Sequence, residues 1–284
     1  MRIDLHTHST VSDGTSTPAE LMADAAAAGL DVIALTDHDT TDGWHEAARA
    51  LPAGLTLVPG VELSCKWYGT ERPVGVHLLG YLVDPEHPEL VAELRRIRDS
   101  RQRRAERMVA LLRADGIDIT WEEVAGYAAG GVVGRPHIAT ALVRHGLVES
   151  VSAAFAPEWL GQRYRVPKED VEIFRGLRLI LQAGGVPVMA HLRAHRRGPV
   201  VPDELVAELA EAGLFGLEAD HPDHGPAERD HVRRLAADLD LVVTGSSDYH
   251  GRNKTVRLGE NTTAVEVYEK IVAAGRGSCV VTGG

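Results

Sequence analysis

The sequence predicts an α/β protein built on a (β/α) barrel that carries an all-helical insertion. Short apolar runs rich in β-branched residues alternate with longer segments of helical spacing in both halves of the chain. Polar clusters follow the apolar runs, at the face where (β/α) barrels build their active sites. An open, doubly wound sheet is the alternative, but no glycine-rich phosphate loop follows the first run.

The first part of the predicted barrel spans residues 1–95. Its predicted strands are residues 2–5, 32–35, 55–58 with 61–64, and 75–83. Thr17-Pro-Ala-Glu20 is a capping box that begins the first helix, and Gly29 ends this helix. A second helix is predicted to begin near Asp42.

The alternation stops over residues 96–183, where we predict an all-helical insertion that closes over the active site. One helix runs from about Glu89 to Leu112, a second begins at the capping box Thr120-Trp-Glu-Glu123, and a third follows Gly134. The arginines of the first helix alternate with acids, which favours a solvated face over an RNA-binding surface. They are Arg95, Arg96, Arg98, Arg101, Arg103, Arg104 and Arg107.

The second part of the predicted barrel spans residues 184–284. Its strands are predicted at residues 186–190, 215–219 and 241–244. Its helices are predicted at residues 203–213 and 226–239. Strand and helix alternate here with the same spacing as in the first part, so both parts are expected to share one sheet.

Composition favours a cytoplasmic enzyme. No apolar run approaches the length of a membrane span, and no basic leader precedes Asp4. The two cysteines, Cys65 and Cys279, are too few for a disulfide scaffold or a zinc-thiolate cluster. A net charge of −11 argues against stable binding of duplex nucleic acid, although a local basic pocket for a phosphorylated ligand is compatible with it.

Histidines and carboxylates concentrate after the predicted strands. His6 and His8 are two residues apart on an extended segment, so both imidazoles face one way and can bind one ion. Asp248 and His250 repeat this spacing, and Glu218 either supports a ligand or forms a buried ion pair. Further candidate ligands are Asp13, His38, Glu62, His77 and His191. Burial makes such groups costly, so their concentration indicates a metal cluster.

Six motifs carry these residues: Asp4-Leu-His-Thr-His-Ser9 with Ser12-Asp-Gly14, Thr36-Asp-His-Asp39, Gly60-Val-Glu-Leu-Ser64, His77, Ala190-His191 and Ser247-Asp-Tyr-His-Gly251. In this order they resemble the PHP (polymerase and histidinol phosphatase) family of phosphoesterases. Gly134-Arg-Pro-His-Ile-Ala139 and Gly251-Arg-Asn-Lys254 resemble stand-alone bacterial members that act on nucleoside 3′,5′-bisphosphates and short RNA 5′ ends. The resemblance implies a distorted seven-stranded barrel with a helical insertion.

The resemblance also implies three divalent metal ions, which are manganese, iron or zinc according to supply. The implied ligands are His6, His8, Glu62 and Asp248 for one ion, Glu62, His77 and His191 for a second, and Asp13, His38 and His250 for a third. Glu62 is therefore expected to bridge two ions and to take part in catalysis.

We expect a metal-bound hydroxide to attack the phosphorus in line, without a covalent intermediate. Arg135 is expected to hold the phosphate with its fork of donors, assisted by His137 at the start of a helix. His224 is a candidate both for binding the substrate and for protonating the leaving oxygen. Arg252 and Lys254 are candidates for contact with a second phosphate.

The leading functional hypothesis is hydrolysis of a phosphate monoester of a small nucleotide, such as a nucleoside 3′,5′-bisphosphate. The alternatives are a 5′-3′ exonuclease on short RNA oligonucleotides, a hydrolase of a cyclic sugar phosphate or histidinol phosphate, and an amidohydrolase. A non-catalytic metal-binding module is a further alternative, but the intact ligand set argues against it.

Overall fold

A computed structural model of the chain describes residues 1–128, 131, 133–167 and 169–284. The strands in those ranges are β1 (Ile3–Thr7), β2 (Val32–Leu35), β3 (Thr56–Trp67), β4 (Val74–Tyr81), β5 (Val171–Glu172), β6 (Val186–Met189), β7 (Gly216–Asp220), β8 (Val242–Gly245) and β9 (Val281–Thr282). The α-helices are α1 (Pro18–Ala27), α2 (Trp44–Arg49), α3 (Pro88–Ala114), α4 (Trp121–Tyr127), α5 (Arg135–Arg144), α6 (Ile173–Gln182), α7 (Asp203–Glu211), α8 (Pro226–Asp238) and α9 (Val265–Ala274). Among the described helices, none has the length and apolar character needed to cross a bilayer.

Seven strands form a nearly closed barrel in the order β1-β2-β3-β4-β6-β7-β8. Thr7 at the end of β1 forms a parallel bridge with Tyr249 after β8, which brings the last strand back to the first. The pairs β1–β2, β2–β3, β6–β7 and β7–β8 are parallel, whereas β4 is antiparallel to both β3 and β6. The predicted distorted seven-stranded barrel is confirmed, and the antiparallel β4 is one source of its distortion.

Local sequence signals account for the ends of several helices. The Thr17 hydroxyl accepts from the Glu20 N–H, the Glu20 carboxylate accepts from the Thr17 N–H, and Pro18 occupies the first turn of α1. Gly29, with φ +71°, follows α1 and takes the left-handed conformation that glycine adopts without a steric cost. The predicted start of α1 and the glycine after its end are therefore confirmed.

The extended segment predicted at residues 55–58 and 61–64 is one continuous strand, β3, which runs from Thr56 to Trp67. β3 pairs with β2 up to Pro59 and with β4 from Gly60 onward, so Pro59-Gly60 marks a change of partner and not a break. A Cβ atom at Gly60 would lie 2.8 Å from Cγ2 of Thr36, which explains why glycine stands there. Because the strand continues, Glu62 lies within β3 and not at a strand end.

The helical insertion has a hydrophobic core of its own. Residues from 105 to 166, including Met108 of α3 and Ile138 of α5, form one cluster. The first turns of α3 and most of α6 pack instead with barrel residues, as Ile97 and Ile180 illustrate. The predicted boundaries 96–183 remain a proposal, and we propose that the separately packed unit is residues 105–166.

Candidate metal centre

Candidate ligands from across the chain meet at one end of the barrel. His8, His38, His191 and Asp248 follow the carboxyl ends of β1, β2, β6 and β8, as the alternation of strands and helices predicts. Among the described residues, three groups of candidate ligands occur here, and within each group the donor atoms lie within 4.8 Å of one another. They are His8, Asp13, His38 and His250; His6, His8 and Asp248; and His38, Glu62 and His77. All the predicted ligands except His191 therefore belong to at least one group.

Glu62 lies at the centre of the cluster, and its two carboxylate oxygens face different imidazoles. Oε1 lies 2.6 Å from Nδ1 of His77 and 3.0 Å from Nε2 of His191. Oε2 lies 3.1 Å from Nε2 of His6 and 3.1 Å from Nε2 of His8. A carboxylate arranged in this way can bridge two ions, and the contact with His191 brings this residue into the cluster.

The side chain of Asp248 also divides its contacts between its two oxygens. Oδ1 lies 3.5 Å from Nε2 of His6 and 3.4 Å from Nε2 of His8. Oδ2 accepts hydrogen bonds from Nζ of Lys254 and Nη2 of Arg197, each at 2.6 Å. One oxygen therefore remains available to an ion shared with the histidines, while the other is held by cationic side chains.

Asp13 forms the third corner of the cluster. Its Oδ1 lies 3.2 Å from Nε2 of His250, and its Oδ2 lies 3.8 Å from Nε2 of His38. Asp37 holds the loop that carries Asp13, because its carboxylate accepts from the Ser12 hydroxyl at 2.6 Å. The loop geometry is therefore set by a neighbouring acid that does not itself face the cluster centre.

The donor set fits divalent metal ions. Nε2 of His6 lies 3.1 Å from Nε2 of His8, and both face the same oxygen of Glu62. Buried Nδ1 of His38 also lies 3.1 Å from this oxygen, but it forms no hydrogen bond with any described residue. Lone pairs aimed at one another in this way are satisfied by a shared cation, and imidazole with carboxylate suits zinc, iron or manganese.

Electrostatic interactions keep the carboxylates of the cluster ionised. Burial raises the pKa of Glu62, but the charges of His38 and His77 outweigh it and hold the pKa well below the ordinary value. Burial likewise raises the pKa of Asp248, whereas Lys254 and His6 lower it further than burial raises it. Ionised carboxylates are the form that a metal ion binds.

Three residues at this end of the barrel hold a left-handed backbone that only glycine adopts freely. They are Asp39 with φ +56°, His191 with φ +32° and Asp248 with φ +51°. Such a conformation costs on the order of 1–3 kcal/mol for each residue and persists where neighbours hold it. The His191 N–H, for example, donates to Glu218 at 2.8 Å. The strain is consistent with backbone shaped for a site.

Glu218 supports two of the candidate ligands. Its Oε1 lies 3.0 Å from Nδ1 of His6, so that Nε2 of His6 points into the cluster. Its Oε2 accepts from the backbone of His191, and Ser246 donates its hydroxyl proton to Oε1. Of the two alternatives that the sequence leaves open for Glu218, the supporting role matches these contacts.

The hydrogen bonds of His224 argue against its predicted role as a proton donor. Nδ1 of His224 donates to the carbonyl oxygen of Ala219 at 2.9 Å, and Nε2 accepts from the Arg193 N–H at 3.1 Å. Both ring nitrogens are therefore occupied by the backbone. Arg252 is exposed, and its charge acts on Glu20 at the start of α1, while its contact with a second phosphate stays a prediction.

Two further residues contact the cluster: His221, which the sequence offers beside His224 as either a solvated or a catalytic loop histidine, and Arg197, which the sequence analysis missed. The Asp223 N–H donates to Nδ1 of His221, which leaves the proton of His221 on Nε2, 3.1 Å from Asp248. Arg197 lies in the turn after β6 and reaches both Asp248 and Asp223. Arg197 belongs to no distinctive motif, so only the folding of its loop against Asp248 reveals it.

The insertion contributes positive charge beside the cluster. Arg135 begins α5 with its guanidinium over the ring of Phe155 at 5.1 Å, and Nδ1 of His137 accepts from the Gly134 N–H at 3.0 Å. Arg101 and Arg104 are buried, so the prediction of a solvated face is wrong for these two arginines. They are the next members of the stripe that begins at Ile97 and continues to Met108, a spacing that indicates a buried face.

Comparison with known proteins agrees with this geometry. The PHP domain model matches residues 4–212. A 5′-3′ exoribonuclease of Haemophilus influenzae is 34% identical over 277 residues, which are 95% of this chain and 98% of that relative. A 3′,5′-nucleoside bisphosphate phosphatase of Chromobacterium violaceum is 34% identical over 254 residues, which are 87% of each chain. The solved structure of a candidate metal-dependent phosphoesterase from Bifidobacterium adolescentis has a TM-score of 0.90 at 36% identity over 96% of both chains.

Proposed function

The chain belongs to the PHP domain family of metal-dependent phosphoester hydrolases, and we propose that it releases phosphate from a nucleotide of the nucleoside 3′,5′-bisphosphate class. The observation that carries the proposal is Glu62, whose two oxygens face separate sets of imidazoles. Paired ions clamp a phosphoryl group from two sides, and a bridging carboxylate is suited to hold them. The names of the two similar relatives support a nucleotide as the substrate.

We assign three ions, of manganese, iron or zinc, to the cluster. The proposed ligands are His6, His8, Glu62 and Asp248 for one ion, Glu62, His77 and His191 for the second, and Asp13, His38 and His250 for the third. The split contacts of Glu62 and the pairing of Asp13 with His250 support this division. His8 also lies within reach of the third group, so its imidazole is the contact between two of the sites.

When bound, these ions supply an activated water and neutralise the charge on the phosphoryl oxygens. Lys254 and Arg197 hold Oδ2 of Asp248 and add positive charge beside the place of the reacting phosphate. His221 replaces His224 as the proposed proton donor, because its Nε2 carries a proton and faces the cluster. Arg135 and His137 remain the proposed substrate contacts from the insertion.

The proposal is tested by phosphate release from adenosine 3′,5′-bisphosphate and p-nitrophenyl phosphate in the presence of Mn²⁺. The wild-type protein is expected to hydrolyse both, and His6→Ala is expected to lose more than the roughly 10- to 100-fold that loss of a supporting residue costs. His45→Ala is the matched control, because this histidine is exposed on α2. Absence of phosphate release by the wild type, or undiminished release by His6→Ala, would contradict the proposal.

A 5′-3′ exoribonuclease is the second candidate, favoured by the name of the Haemophilus influenzae relative. The same cluster serves both activities, since a phosphodiester and a phosphomonoester present similar anionic oxygens. The values of kcat/KM for adenosine 3′,5′-bisphosphate and for short 5′-phosphorylated RNA separate them. A higher value for RNA, with release of mononucleotides, would favour the exonuclease.

A further inference from the structure

A buried acid next to one of the proposed ligands joins three elements of the fold. Asp39 directly follows His38 in the segment between β2 and α2, and it is fully buried. Its Oδ1 accepts from the Ser64 N–H at 2.7 Å, and its Oδ2 accepts from the Ser64 hydroxyl at 2.9 Å. Nε of Arg101, from α3, lies 2.7 Å from the same Oδ2, and Nη2 of Arg101 donates to the Ser64 hydroxyl at 2.6 Å. Asp39 therefore ties the segment after β2 to β3 and to α3.

Backbone contacts of Asp39 hold two of the proposed ligands at a fixed spacing. The Asp39 N–H donates to the carbonyl oxygen of Glu62 at 3.0 Å, and His38 forms a parallel bridge with Glu62. Asp39 has a left-handed φ of +56°, which a residue other than glycine keeps only where its surroundings hold it. Ser64 lies opposite His77 in the register of β3 and β4, so the carboxylate of Asp39 also holds the strand pair between these ligands.

The carboxylate of Asp39 is placed to act through its neighbours and not as a ligand. Among the described residues, Asp39 belongs to none of the three groups of candidate ligands, and both of its oxygens accept from Ser64. Burial lowers the pKa of Arg101, but the charges of Asp39 and Asp13 raise the pKa above the ordinary value. Arg101 is therefore a buried counter-ion of Asp39, supplied by a helix that lies outside the barrel.

We propose that Asp39 is a positioning residue, which fixes the spacing of His38 and Glu62 for metal binding, and that Arg101 stabilises Asp39 in this place. A group that orients a ligand through hydrogen bonds contributes roughly 10- to 100-fold to metal affinity. The same contact joins the metal centre to α3, the helix that leads into the insertion. The inference deepens the proposed function and rests on its metal assignment.

The effect of Asp39 is expected on one side of the cluster. His38 is its neighbour in the chain, and His77 lies on β4 opposite the part of β3 that Asp39 holds. His6 is oriented by a different acid, because its Nδ1 lies 3.0 Å from Oε1 of Glu218. Loss of the Asp39 carboxylate should therefore weaken the binding of ions beside His38 and His77 more than the binding of the ion beside His6.

Asp39→Asn tests this role with little change of the backbone, because asparagine also tolerates the left-handed conformation. Whichever way the amide turns, its NH₂ group faces either the Ser64 N–H or Nε of Arg101, so two donors oppose each other. Titration calorimetry of chelator-treated protein, below its melting temperature, measures the consequence. We expect the variant to bind Mn²⁺ about 10- to 100-fold more weakly than the wild type.

Anomalous diffraction at the manganese absorption edge shows where the loss occurs. Crystals of Asp39→Asn and of the wild type are soaked at the same limiting concentration of Mn²⁺. The peaks beside His38 and His77 are expected to be weaker in the variant, and the peak beside His6 is expected to change little. A loss confined to the peak beside His6 would contradict the inference.

Asp42→Asn is the matched control. Asp42 lies in the same segment as Asp39, and its Oδ2 pairs with Nη1 of Arg98 on α3 at 2.5 Å, but its side chain is 67% exposed. The control removes the charge of an Asp–Arg contact between the same two elements and should bind Mn²⁺ as the wild type does. Ser64→Ala is the second variant if Asp39→Asn does not fold. It removes the hydroxyl that Asp39 and Arg101 share and should weaken Mn²⁺ binding about 2- to 10-fold.

Melting curves of the metal-free proteins separate positioning from a purely structural role. A lower melting temperature of Asp39→Asn with the Mn²⁺ affinity of the wild type would overturn the inference. Equal weakening by Asp39→Asn and Asp42→Asn would overturn it too, as would unchanged affinity in Ser64→Ala when Asp39→Asn does not fold. A wild type that binds Mn²⁺ but releases no phosphate would refute the proposed function and leave the role of Asp39 intact.

Discussion

Replacement of Glu218 by glutamine removes a buried negative charge that holds two of the proposed ligands in place. Glu218 is fully buried, with Oε1 at 3.0 Å from Nδ1 of His6 and Oε2 at 2.8 Å from the backbone nitrogen of His191. Burial raises its pKa, but the charges of His6 and His221 lower the pKa below the ordinary value, so the residue is a carboxylate in the folded protein.

The expected magnitude follows from these two contacts. If the amide oxygen of the introduced glutamine keeps the contact with the His191 N–H, its NH₂ group faces Nδ1 of His6. Nδ1 carries the proton whenever Nε2 of His6 binds a metal ion, so two donors would then oppose each other. Loss of such a supporting group costs roughly 10- to 100-fold in metal affinity. This range corresponds to about 1.4–2.8 kcal/mol.

Titration calorimetry of chelator-treated protein with Mn²⁺ measures this loss directly. Glu218→Gln is expected to bind Mn²⁺ about 10- to 100-fold more weakly and to regain most of its kcat at saturating Mn²⁺. Glu211→Gln, at the exposed end of α7, is the matched control and should bind as the wild type does. Equal affinities of Glu218→Gln and the wild type would show that Glu218 does not orient a ligand.

Three further predictions follow from other parts of the structure. His221→Ala should lower kcat for adenosine 3′,5′-bisphosphate about 10²- to 10⁴-fold, but not kcat for p-nitrophenyl phosphate, because that leaving group needs no proton. His224→Ala should mainly lower the melting temperature. Equal losses of kcat on both substrates would exclude the role of His221 as a proton donor. Burial lowers the pKa of His8, but Asp248 and Glu62 raise it to about 9. Because a bound metal ion displaces this proton, Mn²⁺ binding near neutral pH should release protons and should become tighter toward pH 9. A calorimetric heat of Mn²⁺ binding that does not depend on the ionisation heat of the buffer would contradict this. Gly60→Ala should lower the free energy of unfolding by about 1–3 kcal/mol, because the new Cβ atom would crowd Thr36. Gly75→Ala, with open space around its Cβ position, should lower it by less than about 0.5 kcal/mol. Similar urea midpoints for the two variants would refute the crowding at Gly60.

The barrel and most of the candidate ligands could be predicted because both follow from local patterns. Apolar runs predict the strands, and the carboxyl ends of parallel strands meet at one face. Residues directly after strands, such as His8, His38 and His191, are therefore expected to converge without any knowledge of side-chain contacts. The spacing of two between His6 and His8 adds that both rings face one ion.

The rest depends on contacts between distant segments, which local patterns do not contain. Glu62 and His77 lie inside two antiparallel strands, because β3 continues through Pro59-Gly60 and pairs with β4. The burial of Arg104 depends on how the insertion packs over the barrel. Charge alternation along α3 predicts an exposed face, whereas the helical spacing that Arg104 shares with Met108 predicts a buried face. Arg104 is buried, so the spacing predicts its position correctly.

We propose that Glu62 would hold the metal ions at the site of phosphoester hydrolysis. Anomalous diffraction from crystals of the Mn²⁺-loaded protein, measured at the manganese absorption edge, locates such ions directly. We expect peaks on both sides of the Glu62 carboxylate, one within reach of His6 and the other within reach of His77. Diffraction that shows no manganese at Glu62, in a protein that releases phosphate from adenosine 3′,5′-bisphosphate, would contradict the account.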